Sequence, residues 1–288
     1  MAKIIAICNQ KGGVGKTSTA VSLSSGLALE GMKILLVDLD PQGNATSGLG
    51  INKAKLEKSI YHALLDGEPL ENIWCTSSVD NLWVAPSNAD LSGAEVELSN
   101  EIGRENKLKK VLSQVPNDID FIFIDCPPSF GLLTINALTA AHSVIIPIQC
   151  EYYALEGLGQ LLKTIDLVKN NINTGLEIEG ILMTMADFRT NLTQEVIKEV
   201  KNHFPEKLYT TVIPRNIKLG EAPGFGKPIF LYDKESEGAK KYKEFVYEFL
   251  SIYATHLPKS KPLTDPLAEQ TEAVTDAGVN AVSSEQTL

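Results

Sequence analysis

The chain has 288 residues, 43% hydrophobic and 22% charged, with a formal net charge of −10. That is enough apolar sequence for one large α/β domain with a full core. No signal peptide or apolar span of about 18 residues appears, so a soluble cytoplasmic protein is expected. The acidic balance argues against nucleic-acid binding by bulk charge.

The first predicted strand is the apolar run Ile4-Ile5-Ala6-Ile7-Cys8, and Lys11-Gly12-Gly13-Val14-Gly15-Lys16-Thr17-Ser18 follows it. Strand, glycine-rich loop and helix in that order make a phosphate-binding loop, normally written G-x-x-x-x-G-K-[ST]. Gly15, Lys16 and Thr17 fit the pattern, but Gln10 stands where the first glycine belongs and Lys11 adds a second lysine at the entrance. Glycines let backbone N–H groups approach a polyphosphate at the positive end of a helix. Lys16 suits the β and γ phosphates, and the Thr17 hydroxyl suits magnesium, a seeker of oxygen ligands. The helix runs on through residues 19–28, and Gly31 closes it.

The next strand, residues 33–38, carries Asp38 and then Asp40 into a polar loop. Period-two alternation places both carboxylates on one face if the strand persists. One suits magnesium, directly or through water, and the other an attacking water. Acids that cap the next turn are the competing explanation. Residues 119–125 form another apolar strand ending in Asp125, the position of a further magnesium carboxylate once a phosphate loop is present. Strands over 143–148 and 178–184 complete an alternation that predicts a mostly parallel twisted sheet with helices on both faces. Residues 185–191 and 212–216, the latter holding Pro214 and Asn216, each follow a strand and precede a helix, again at the ligand edge. An asparagine amide matches both the donor and the acceptor on adenine's edge.

Cys8, Cys75, Cys126 and Cys150 show no CxxC spacing, and core packing is the expectation for the three near strands. The amphipathic stretch 240–250 reads as a domain-packing helix. The predicted domain spans residues 1–257, and 258–288, aperiodic and without aromatics, is expected to be a disordered acidic tail.

The blocks KGGVGKTS, ILLVDLDPQGNATSGLG, FIFIDCPPSFGLLTINAL, VIIPIQCEYYALEGL, MADFRTNL and VIPRNIKLGEAPGFGKPI together resemble the ParA/Soj family of DNA-partitioning ATPases, over residues 2–252. These are P-loop NTPases of the deviant Walker A class, marked by a signature lysine. The resemblance implies two subunits sandwiching two ATP molecules with Mg2+, Lys11 of each reaching the other's phosphates. It makes Lys16 and Thr17 ligands of phosphate and metal, Asp40 the hydrolytic switch, Asp125 a carboxylate that holds magnesium through its bound water, and places Pro214 and Asn216 near the adenine. It further implies an ATP-dependent homodimer that binds double-stranded DNA without sequence preference on the nucleoid. A ParB/Spo0J-type partner then stimulates a weak ATPase and releases the dimer. Absence of a helix-turn-helix before the loop resembles the short chromosomal members.

The positions of Arg189 and Lys218 are associated with DNA contact in such relatives. Charge supports this locally: residues 187–243 hold 11 Lys/Arg against 8 Asp/Glu, a net +3, leaving −13 on the remainder. Solvated surface charge is the plain alternative for each. Three rival classes share the loop: a membrane-associated positioning ATPase of the MinD type, a reductase iron protein with bridging cysteines, and a positioning ATPase for a non-DNA cargo.

Overall fold

Strands and helices alternate along the computed structural model, which describes residues 2–151 and 154–253. The strands are β1 (Lys3–Ile7), β2 (Ile34–Asp38), β3 (Cys75–Thr76), β4 (Leu82–Ala85), β5 (Phe121–Asp125), β6 (Ser143–Gln149), β7 (Glu177–Ala186) and β8 (Leu208–Pro214). They form one sheet in the order β3-β4-β2-β5-β1-β6-β7-β8. Every neighbouring pair is parallel except β3–β4. β2 and β5 are buried at all positions, as continuous apolar strands covered on both faces must be. β3 and β4 escape a reading by periodicity because they span two and four residues.

The helix Lys16–Leu29 returns from the loop along β1 and is buried along most of its length. Gly31 ends it with φ +90°, its N–H bonding the Ala28 carbonyl while the Met32 N–H bonds that of Leu27, a Schellman closure. Only a glycine at 26 admits the neighbouring helix Glu237–Tyr253, since a Cβ there would lie 2.5 Å from Val246. That second helix buries Tyr242, Phe245 and Phe249. Tyr242 hydroxyl meets Thr19 at 3.1 Å, and the Phe249 ring lies 5.4 Å from Phe121 and 5.9 Å from Phe123. The amphipathic stretch therefore packs within the domain. One residue before Phe249, Glu248 turns its carboxylate to the edge strand, accepting from the N–H groups of Thr210 and Thr211 on β8.

Register decides where the site forms. Asp125 is the parallel partner of both Ile7 and Asp38, so β1, β5 and β2 end level with one another. The chain leaves β1 between β5 and β6, with later strands continuing on either side, the arrangement whose carboxyl ends open a ligand crevice. Met1–Phe249 form one compact unit. The predicted boundary at 257 and the tail 258–288 lie outside the described residues.

Candidate nucleotide site

The loop is shaped by two glycines with positive φ, Gly13 at +75° and Gly15 at +88°. Neighbouring strands pin it. The Asn9 amide donates to the Pro147 carbonyl at 2.7 Å while its oxygen accepts from the Lys11 N–H. The Thr184 hydroxyl, at the end of β7, donates to the Val14 carbonyl at 2.8 Å, and Gln10 reaches Gln160 at 2.8 Å. Gly12, Gly13, Gly15, Thr17 and Ser18 thus lie on a curve fixed before any ligand arrives. Thr17 and Ser18 line a narrow cleft with Leu219, Ala222 and Pro223, the segment just beyond Asn216.

The two lysines point differently. Lys16 is 6% exposed and folds over the loop, its ammonium donating to the Lys11 carbonyl at 2.9 Å. Burial lowers its pKa, while the Asp125 charge opposes the fall. The Lys11 side chain is 47% exposed and forms an ion pair with Glu151, just after β6.

Three carboxylates stand beside the loop, at or just beyond the level ends of β2 and β5. Strand β2 stops at Asp38, so alternation does not carry it to Asp40. Asp38 turns inward and accepts from the Thr46 N–H at 2.8 Å, the Thr46 hydroxyl at 2.7 Å and the Asp40 N–H at 3.2 Å. Burial lifts its pKa to about 6, with those bonds opposing. It is the structural member of the pair. Asp40 is buried too, and among the described residues its carboxylate accepts from the Gln42 N–H at 2.9 Å. Asp125 is 0% exposed, and among the described residues neither oxygen has a well-formed hydrogen bond, the Thr17 hydroxyl being the donor turned toward it. Burial raises its pKa well above the carboxylate range and the Asp38 charge adds to this, against the Thr17 hydroxyl and Lys16.

An unpartnered buried carboxylate is costly unless a cation or donor completes it. Hard oxygen donors on Asp125, Asp40 and Thr17, converging beside a phosphate loop, fit magnesium. The residues present therefore suit a magnesium–nucleotide complex.

The remaining predicted residues stand at the same sheet edge, farther along. Pro214 ends β8, and Asn216 caps the helix Ile217–Glu221, its oxygen accepting from the Lys218 N–H at 2.9 Å. The Lys218 ammonium pairs with Glu221 at 2.9 Å. Arg189, 88% exposed in its side chain, grips Asp187 through Nε at 2.8 Å and a terminal nitrogen at 2.6 Å. That fork holds the Asp187 pKa down to about 2.

Glu151, Thr184 and Thr46 were not legible beforehand. Glu151 and Thr184 lie 140 or more positions from the loop residues they meet, and Thr46 has no motif of its own.

Fold and loop together define a P-loop nucleotide-binding protein. A family model described as an AAA domain matches residues 2–178. The chain is 58% identical over 248 residues to the sporulation initiation inhibitor protein Soj of Bacillus subtilis, covering 86% of this chain and 98% of that one. It is 52% identical over 240 residues to the chromosome partitioning protein ParA of Myxococcus xanthus, covering 83% and 85%. A solved structure of cobyrinic acid a,c-diamide synthase from Mycobacterium smegmatis, with bound ATP analogue and magnesium, superposes with TM-score 0.78 at 37% identity, covering 92% of this chain and 100% of that one. The chain belongs to the Soj/ParA family of chromosome-partitioning ATPases.

Proposed function

We propose that this chain is an ATP-switched DNA-partitioning ATPase whose DNA-binding form is an ATP-bound homodimer. One observation carries the reading: the loop holds two lysines of opposite address, Lys16 buried over its own loop and Lys11 outside it. Lys16 and the loop N–H groups of Gly12, Gly13, Val14 and Gly15 bind the phosphates of one ATP. Lys11 exchanges Glu151 for the γ-phosphate of the facing subunit's ATP, so that the triphosphate supplies the anion that joins two copies. This resembles an arginine finger given in trans, serving assembly as well as rate.

Thr17, Asp125 and Asp40 would hold magnesium, which neutralises charge on the phosphates. Asp40, with few protein partners, orients the attacking water and accepts its proton. Pro214 and Asn216 flank the adenine. Arg189 and Lys218 contact DNA phosphates from both subunits, about four contacts per dimer, giving a salt slope near −3.6. A ParB/Spo0J-type protein accelerates an otherwise weak hydrolysis and releases the dimer from the nucleoid.

The test is ATP-dependent DNA binding with dimerisation followed in parallel, for the natural chain and Lys11→Ala. The variant is expected to bind nucleotide yet remain monomeric and off DNA. Dimerisation of Lys11→Ala equal to that of the natural chain would overturn the proposal.

A further inference from the structure

Cys8 and Cys126 take no part in the nucleotide chemistry above, yet they stand at its floor. Each is the first residue after its strand, β1 or β5, whose last residues Ile7 and Asp125 are register partners. Adjacent parallel strands therefore deliver the two side chains next to each other. Neighbouring strands lie about 4.8 Å apart, inside the roughly 4.4–6.8 Å between Cα atoms that a disulfide spans. The sulfurs are in hydrogen-bond contact at 2.7 Å, and each residue is 1% exposed. Both are free thiols. Cys75 donates instead to the Ile73 carbonyl, and Cys150 lies after β6.

We propose that Cys8 and Cys126 form a redox-modification site, a dithiol that converts reversibly to an intramolecular disulfide. Two S–H bonds break and one S–S bond forms. The oxidant is a small peroxide: its O–O bond takes the two electrons and two protons, and with hydrogen peroxide two waters leave. A small dithiol reductant, reaching the pair as the site opens or in the unfolded chain, reverses the step. Burial selects the oxidant, because a bulky disulfide such as oxidised glutathione cannot reach either sulfur to form a mixed disulfide.

The placement gives the bridge its consequence. One sulfur belongs to the residue that leads into the phosphate loop, the other to the residue that follows Asp125. A bond between them makes the loop's lead-in and the strand that carries Asp125 one covalent unit, closing a separation of 118 positions. Long closed loops restrict the unfolded chain most.

The experiment uses the full-length protein, reduced, desalted and exposed to hydrogen peroxide, then denatured, alkylated and mapped by mass spectrometry. The expected product is a peptide containing Cys8 linked to one containing Cys126, lighter by two hydrogens and restored by dithiothreitol, with Cys75 and Cys150 alkylated. Oxidised glutathione is expected to leave both sulfurs unmodified. Tm should rise by roughly 5–10 °C on oxidation, a rise that Cys8→Ala or Cys8→Ser abolishes. Recovery of Cys8 and Cys126 as alkylated thiols, at peroxide levels that oxidise free cysteine, overturns the proposal. So does a glutathione adduct or a sulfinic acid at either position in place of the link. The mapping on the natural chain decides the matter even where a variant does not fold.

Discussion

The carboxylates at the phosphate loop and those at the β7–β8 edge are pushed in opposite directions. Burial raises Asp38 to about 6 and lifts Asp125 well above its ordinary value. Asp187 is held down to about 2 by the Arg189 fork, and Glu221 is lowered by Lys218. The inner group carries acid function that its own protein leaves incompletely answered, and so favours an incoming cation. The outer group is already answered by its own cations. A phosphate that takes Arg189 or Lys218 must displace a carboxylate first, so each outer contact is individually weak. Binding of a polyanion at that edge would gain its strength from the number of such contacts.

The largest expected effect lies on the inner side. Lys16→Ala removes the buried ammonium that faces the loop, and nucleotide affinity by calorimetry should fall at least about a hundredfold, roughly 3 kcal/mol. Retained affinity would remove Lys16 from the site. Next comes pH. The folded chain holds a proton on Asp38 between its ordinary pKa of 3.8 and about 6, where the unfolded chain does not. Stability of the nucleotide-free protein should therefore rise as pH falls from about 6 to about 4, by an order of 2–3 kcal/mol in urea titrations. Asp187 has the opposite sign: its contribution is present above its ordinary pKa and is lost as pH falls toward about 2. A flat profile from 4 to 6 would erase the contrast between the two groups.

Asp125→Asn sharpens the same comparison. Removing an unpartnered buried acid should stabilise the nucleotide-free chain by about 1–3 kcal/mol at pH 8 while abolishing the gain in nucleotide affinity from magnesium. The smallest effect belongs outside. Arg189→Ala should lower the magnitude of the salt slope of DNA binding by about 0.9 per subunit, with nucleotide affinity unchanged. An unaltered slope would mark Arg189 as solvated charge.

The sequence revealed the parts of this site that are contiguous. The loop from Lys11 to Ser18 is legible because phosphate binding demands its residues at fixed spacing. Asp125 is legible because a phosphate loop calls for a magnesium carboxylate, which gives weight to an acid-after-strand pattern that says little alone. The division of labour between Asp38 and Asp40 was hidden from residue pattern and came only with the family resemblance, since it depends on where β2 stops and on Thr46, which folds back to take the Asp38 carboxylate. Alternation alone treated the two alike. Glu151 and Thr184 reach the loop across 140 and 170 positions, and local pattern holds no trace of such a meeting. The short strands β3 and β4 were lost for another reason: two to four residues carry too little periodicity to register.

Glu248 has a consequence for how copies of this chain meet. An edge strand offers its outward N–H groups as a template on which another chain can add. On β8 the Thr210 and Thr211 groups are taken by the Glu248 carboxylate. At the other edge β3 is only two residues long. Copies of this chain that meet in solution are thereby steered away from strand-to-strand sheet growth.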